Sequence, residues 1–315
     1  MSRILTVGAA QLGPISRDEP RSAVVKRMIA LMHDAKDAGC DLVVYPELTL
    51  TTFFPRWWLE DDQDAIDAFF ERSMPSNETA PLFHEAARLS MGMSFGYAEL
   101  CEEEGQTRRF NTSILVEKNG EIVLKYRKVH LPGHAEHEPW RAFQHLEKRY
   151  FEVGNLGFPV TQALGGNMGM CICNDRRWPE TYRVMGLQDV EMILLGYNTP
   201  LHNPPAPGHD ALSNFHNQLS MQAGAYQNGT YVVGVAKAGT EEGVLHIGQS
   251  QIIAPSGETI AMAHTLGDEL IVAQCDLDAC QSFKRTVFNF AAHRRTEAYG
   301  LIVERTGAEP PTGRV

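Results

Sequence analysis

The chain has 315 residues, enough for one large α/β domain that buries roughly three quarters of its unfolded surface without a disulfide or metal staple. Its 28 Lys and Arg against 39 Asp and Glu give a net charge of −11, with no run of five basic residues, which argues against nucleic acid and anionic membrane as partners. Six cysteines in a chain of this length do not make a disulfide framework, and no secretory leader precedes the first apolar run. No apolar stretch nears the ~18 residues of a membrane helix. A soluble, cytoplasmic, thiol-reduced protein is expected, and the glycosylation-like triplets at Asn77, Asn111 and Asn228 are then chance matches.

The segment RILTVGAAQ reads as a buried first strand. The next, SAVVKRMIALMHDAKDAG, carries Val24, Met28, Leu31 and Ala35 at helical spacing and stops at Gly39, as a helix C-terminus would. DLVVYPE follows as a strand, and NTSILVEKNGEIVLKY is a pair of strands around the hairpin signal Asn119-Gly120. MGMCIC, EMILLGY and TYVVGVA read as three more buried strands, and Pro179 sits at a plausible first position of a short helix over 179–188. This alternation predicts an α/β sandwich. No linker or composition break interrupts it, so residues 1–280 are read as a single domain. Residues 281–315 are read as a C-terminal extension, ending in the Pro/Gly-rich RTGAEPPTGRV, that packs on a partner subunit.

Three reactive side chains fall at the ends of predicted strands: Glu47 after LVVYP, Lys128 after IVLKYR and Cys173 closing GMCIC. Ligands collect at that rim of an α/β sheet. Singly, such residues are more often solvated charges or an inert core thiol. Together they suit amide cleavage, which needs a nucleophile, a proton carrier and a cation for the developing oxyanion. Two rivals stand against this. A zinc hydrolase could use His130, His134, His137 and His145, but these lie on an apparent loop with no H-E-x-x-H spacing, and Cys171 and Cys173 are expected to face apart, so no metal is expected. The other rival is a catalytically idle scaffold that binds carboxylated ligands.

YPELTLTTFF, YRKVHLPG and CNDRRWPE resemble, in order and spacing, the three signature segments of the nitrilase superfamily, the carbon–nitrogen hydrolases with a Glu-Lys-Cys triad. RRFNTSIL, FQHLEKRYFE, RVMGL, GYNTP, HNPP and SMQAGAYQNG bring the resemblance nearer to the branch that hydrolyses N-carbamoyl-D-amino acids, over about residues 4–304. It implies an α-β-β-α sandwich, a homo-oligomer (tetramer or dimer), a small-molecule substrate and no cofactor. Cys171 departs from the pattern, where an apolar residue is more usual.

Carried onto matching positions, the resemblance makes Cys173 the nucleophile, Glu47 the general base and acid, and Lys128 the oxyanion partner beside the Asn174 backbone N–H. Glu147 matches the second glutamate, holding Lys128 and orienting substrate or water; the alternative is an ordinary helix-surface charge. Arg176 and Arg177 suit a planar α-carboxylate, with one of the two expected to pair with Asp175 or Glu180 as structural wiring. Asn198 and Thr199 follow a strand end and either complete the carboxylate site or serve as turn residues. His130 and His145 are expected to position the Lys128 loop. The expected reaction converts an N-carbamoyl-D-amino acid to D-amino acid, ammonia and carbon dioxide through a cysteine thioester-type intermediate. A β-ureidopropionase-like activity, or another carboxylate-bearing amide as substrate, is the alternative. The paired arginines disfavour cationic and neutral substrates.

Overall fold

The computed structural model describes residues 2–60 and 62–311. The first sheet is built from β1 (Ile4–Gln11), β2 (Leu42–Val44), β3 (Gly92–Glu103), β4 (Gln106–Val116), β5 (Ile122–Arg127) and β14 (Glu269–Asp276), in the order β14-β1-β2-β3-β4-β5. The second has the order β13-β12-β9-β8-β7-β6, from β6 (Val160–Ala163), β7 (Gly166–Ile172), β8 (Met192–Tyr197), β9 (Tyr231–Ala236), β12 (Gln251–Ile253) and β13 (Thr259–Met262). A hairpin of β10 (Ala238–Glu241) and β11 (Val244–Ile247) stands apart from both. The centre of each sheet is parallel, β1-β2-β3 in one and β7-β8-β9 in the other, and the margins are antiparallel.

Side-chain alternation decides the layering. In β2, Leu42 and Val44 join the core between the sheets, whereas Val43 faces outward under α1 (Arg21–Asp37) and α2 (Ala80–Leu89). In the second sheet α3 (Pro179–Gly186) and α4 (Ser213–Asn228) cover the outer face, where Tyr182, Met185 and Met221 pack. Every residue of β8 is buried, as a strand covered on both faces must be. The result is the α-β-β-α sandwich that the sequence resemblance implies.

The predicted elements are present, with boundaries that matter. The strand expected over DLVVYPE ends at Val44, because Pro46 has no N–H for the ladder and Leu48 adopts a φ of +45°. The strand expected to include Cys173 ends one residue earlier, at Ile172. The helix over 179–188 runs Pro179–Gly186 with its proline in the first turn. The region expected as an extension begins inside a short helix, Cys280–Lys284, and residues 312–315 lie outside the described residues. No helix among the described residues is long and apolar enough to cross a membrane.

Candidate active site

The strand ends of both sheets meet at one rim. Beyond β2, Gly96 donates its N–H to Pro46 O (3.0 Å), and the chain passes so close to both sheets that only glycine fits opposite it. A Cβ on Gly96 would lie 2.9 Å from Glu47 Cα, and one on Gly196 of the second sheet 2.5 Å from Glu47 N. Lys128 follows β5 directly, donating its N–H to Asn111 O (2.8 Å) and accepting from Gly154 N (2.9 Å). Cys173 is the first residue past β7 and takes a φ of +48°, sparsely populated for a side chain with a Cβ.

That turn corrects the reading of the two thiols. Residues two apart on a strand share a face, and Gly169, on the same face as Cys171, looks onto Met185 of α3. Cys171 and Cys173 part company only because the strand ends between them. Cys171 stays in the core, its thiol pushed well up by burial, while Cys173 Sγ turns to within 3.9 Å of Thr199 Oγ1 at the rim.

Glu47, Lys128 and Glu147 are all 0 % exposed. Lys128 Nζ donates to Glu47 Oε1 (2.7 Å) and to Glu147 Oε2 (2.6 Å). An ammonium has three donors, so one is left for another acceptor. Asn111 Nδ2 adds a bond to Glu47 Oε1 (2.8 Å), and Glu47 Oε2 has no partner. Glu147 opens a single helical turn, Glu147–Tyr150, and is buried rather than on a helix surface. Its Oε1 meets His145 Nε2 at 3.2 Å.

Two carboxylates around one ammonium split in character. Burial, with the Glu147 charge behind it, pushes the Glu47 carboxyl up. Burial opposes ionisation of Glu147 too, but Lys128 and His145 outweigh it and hold that carboxyl below its ordinary value. Burial also opposes the charge on Lys128, and the two glutamates more than offset it, raising the ammonium above its usual range. The Cys173 thiol is pushed up by burial and by Glu47, against Lys128 and Arg176. Such a site rests with a neutral thiol, a fixed anion at Glu147, and Glu47 as the carboxyl poised to gain and lose a proton.

The adjacent arginines separate. Arg176 is 1 % exposed, with Nη1 on Cys173 O (2.6 Å), Nη2 on Thr199 Oγ1 (2.8 Å), Nε on Asn217 Oδ1 (2.9 Å) and its guanidinium over the Tyr197 ring. It is wiring, but to neutral groups rather than to Asp175 or Glu180 as expected. Arg177 is exposed at the mouth, with Nη1 3.3 Å from Asn174 Oδ1, and the neighbouring Arg176 charge pushes it down to about 10. A cavity of about 430 Å³ opens here, with Arg141, His145, Cys173, Arg177, Asn198 and Thr199 in its wall. Among the described residues no Asp or Glu lines it. Asn198 is buried with both its amide oxygen and nitrogen unpartnered, unlike an ordinary turn residue.

Asp175, taken only as a possible arginine partner in the sequence, instead clamps the two sheets' loops together. Its carboxylate accepts from Tyr126 OH (2.7 Å), Ile172 N (3.0 Å) and both His130 N (2.9 Å) and Nδ1 (2.8 Å). Asn174 Nδ2 donates to His130 O (3.1 Å), which joins the loop after Lys128 to the cysteine turn. The other loop histidines are occupied locally, His134 Nδ1 at Glu136 O and His137 stacked on Trp58. Among the described residues no cluster of three His, Cys, Asp or Glu side chains is arranged to hold a metal ion. Asn111 and Asn217 also reach the site unforeseen. Asn111 lies inside the RRFNTSIL segment, where it also heads a glycosylation-like triplet.

A two-sheet sandwich with an acid, an ammonium and a thiol at one rim is the arrangement of an amidohydrolase acting on carbamoyl or amide C–N bonds. The sequence profile of the carbon-nitrogen hydrolase family matches residues 6–285, and the chain belongs to that family, the nitrilase superfamily. It is 26 % identical over 318 residues to an N-carbamoylputrescine amidase of Solanum lycopersicum, covering 98 % of both chains. A formamidase of Bacillus cereus (strain G9842) is 26 % identical over 79 % of this chain and 67 % of its own. The crystal structure of a carbon-nitrogen hydrolase from Helicobacter pylori G27 superposes with a TM-score of 0.81 at 21 % identity, covering 96 % of this chain and 99 % of that one.

Proposed function

We propose that this chain hydrolyses N-carbamoyl-D-amino acids, with Cys173 as nucleophile, Glu47 as proton carrier and Lys128 as oxyanion partner. The observation that carries the substrate class is the cavity wall: Arg177 at the mouth, unpartnered Asn198 beside Cys173, and no carboxylate lining it. A carbamoyl amine such as N-carbamoylputrescine, the substrate named for one relative, would bring a distal cation with no anion to meet it. An α-carboxylate would meet the Arg177 fork and the Asn198 amide. The D configuration rests on the resemblance of RRFNTSIL, FQHLEKRYFE and GYNTP to that branch of the family.

The geometry supports the following course. A ureido carbonyl, a poor electrophile, sets its oxygen against the third Lys128 donor and the Asn174 N–H. As Cys173 Sγ bonds to the carbon, its proton passes to Glu47, whose carboxyl burial makes readier to hold a proton than an ordinary glutamate. Glu47 returns that proton to the departing nitrogen. It then takes a proton from the water that attacks the thioester-type intermediate and hands it to the departing Cys173 Sγ, restoring the neutral thiol, and the free carbamate product loses carbon dioxide. Glu147 stays ionised throughout and keeps Lys128 charged.

The C-terminal extension, residues 281–315, is proposed to pack on a partner subunit, since Val287, Ile302 and Val303 are exposed beside the exposed Val184 and Leu187 of α3.

The test is kcat/KM for a D/L pair of N-carbamoyl amino acids, the decarboxylated analogue, N-carbamoyl-β-alanine and N-carbamoylputrescine, on wild type and Arg177→Lys. The D-acid should be the best substrate, and Arg177→Lys should raise its KM sharply, because a point charge cannot reproduce the planar fork. Equal turnover of the decarboxylated analogue, or N-carbamoyl-β-alanine as the best substrate, would sink the assignment.

A further inference from the structure

Behind the site lies a second buried charge cluster that the reaction does not use. Arg56, Lys237, Glu241 and His246 are each at most 3 % exposed. Glu241, at the end of β10, collects five donors on its two oxygens. Phe53 N (2.7 Å), Thr52 Oγ1 (3.2 Å) and Arg56 Nη2 (2.5 Å) bind Oε1, while Ile15 N (3.0 Å) and Lys237 Nζ (3.1 Å) bind Oε2. Lys237 Nζ also donates to Thr51 O. The carboxylate thus gathers the loop from Thr51 to Arg56, which continues directly from Glu47.

That loop in turn carries the other glutamate. Arg56 O accepts from Gln144 N (3.0 Å) and Pro55 O from Leu146 N (2.8 Å), one residue on either side of His145, with Glu147 next in the chain. The hairpin that bears Glu241 supplies a third arm. Ile247 N donates to Thr199 O (3.0 Å) and Leu201 N to Leu245 O (2.8 Å), so β11 fixes the strand end that presents Asn198 and Thr199. Phe53 is the hub, its ring edge-on to His145 on one side and to His246 on the other.

We propose that Glu241 is a positioning residue for the amidohydrolase reaction, a buried carboxylate that ties the Glu47 loop to the His145–Glu147 segment and to the Thr199 strand end. It lies outside the cavity wall and touches no reacting atom. Three of its five donors, Phe53 N, Thr52 Oγ1 and Arg56 Nη2, come from the loop that follows Glu47, so losing it displaces the proton carrier more than the carboxylate socket at Arg177. The inference rests on the amidohydrolase reading and not on the choice of substrate.

Glu241→Gln removes the one anion between two buried cations. Glu241→Gln/Lys237→Met removes one charge of each sign and keeps an acceptor for Phe53 N and Arg56, which keeps the test open if the single variant fails to fold. Both are assayed with whichever substrate the wild type turns over, so a wrong substrate shows as an inactive wild type and a wrong positioning role as an active variant. The readouts are kcat, KM, thermal melting and the extent of Cys173 alkylation by iodoacetamide. A displacement near 1 Å at a catalytic group costs about 10²-fold, so kcat should fall between about tenfold and a hundredfold, with KM little changed and Cys173 still fully alkylated. A folded double variant with kcat within about twofold of wild type overturns the proposal. So does a loss of turnover that merely tracks a lowered melting transition and alkylation of the buried Cys40, Cys171, Cys275 and Cys280, since that would be unfolding.

Discussion

Two buried charge clusters flank Phe53, and they are unbalanced in opposite senses. Around Lys128 there are two carboxylates and one cation; around Glu241 there are two cations and one carboxylate. In the Glu241 cluster the carboxylate and the imidazole are each held in one state. Against burial, Lys237 and Arg56 hold Glu241 down to about 2, and burial drives His246 down to about 3, leaving it neutral with an unpartnered Nδ1. In the Lys128 cluster the surplus anion leaves one proton undecided, and it falls to Glu47. The difference teaches that a buried ion cluster becomes proton-transfer machinery when its charge leaves one group without a fixed state.

The sharpest way to break this comparison is to remove the atom proposed to exchange a proton with Glu47. Cys173→Ala should abolish turnover, by a factor of at least ~10⁴, as loss of a nucleophile does elsewhere. Cys171→Ala, in the core, should keep it. Steady-state assay of the two variants decides, and a loss shared equally would mean that the wrong thiol had been chosen.

Next in size is a mirror-image pair. Lys128→Met strands two buried carboxylates, and breaking a buried pair costs about 3–5 kcal/mol. Their folded-state pKa values then rise, so the variant should regain stability as the pH falls, when one of them takes a proton. Glu241→Gln strands two cations. Burial already lowers Lys237 from its ordinary 10.5, so this variant should regain stability as the pH rises toward that value. Urea unfolding of both between pH 5 and pH 9 checks the signs, and recovery in the same direction would undo the contrast.

The smallest expected effect concerns the acid limb of kcat/KM. With Glu47 raised above the ordinary 4.5, the limb should lie above that value. Glu147→Gln removes a charge that helps to raise Glu47, so the limb of its residual activity should move to lower pH. A limb that stays in place would mean that Glu47 does not set it.

Glu47, Lys128 and Cys173 were legible because each ends an apolar run that announces a strand, and the helix over Arg21–Asp37 because its apolar spacing ends at Gly39. Arg176 and Arg177 could not be told apart, since their fates depend on a tight turn that aims one inward and the next outward. The Glu241 cluster was hidden for another reason. Its ion pair joins residues 185 positions apart, and in KAGTEEG the glutamate looks like any solvated loop charge. Asn111 was masked by a coincidental triplet, and Cys171 by a strand that ends one residue sooner than the pattern suggests.

The glycines that admit the Glu47 backbone between the layers have a wider consequence. Glu47 and Lys128 belong to one sheet, while Cys173, Asn198 and Thr199 belong to the other, so the gap between the sheets sets how far the thiol stands from the carboxyl proposed to serve it. Packed sheets stand about 10 Å apart, a spacing set by the side chains that fill them. Here a methyl group at Gly196 would sit 2.5 Å from the Glu47 nitrogen. On the proposed mechanism the interlayer core is therefore a gauge block, and changes of volume deep within it reach Cys173 and Glu47 as changes of distance.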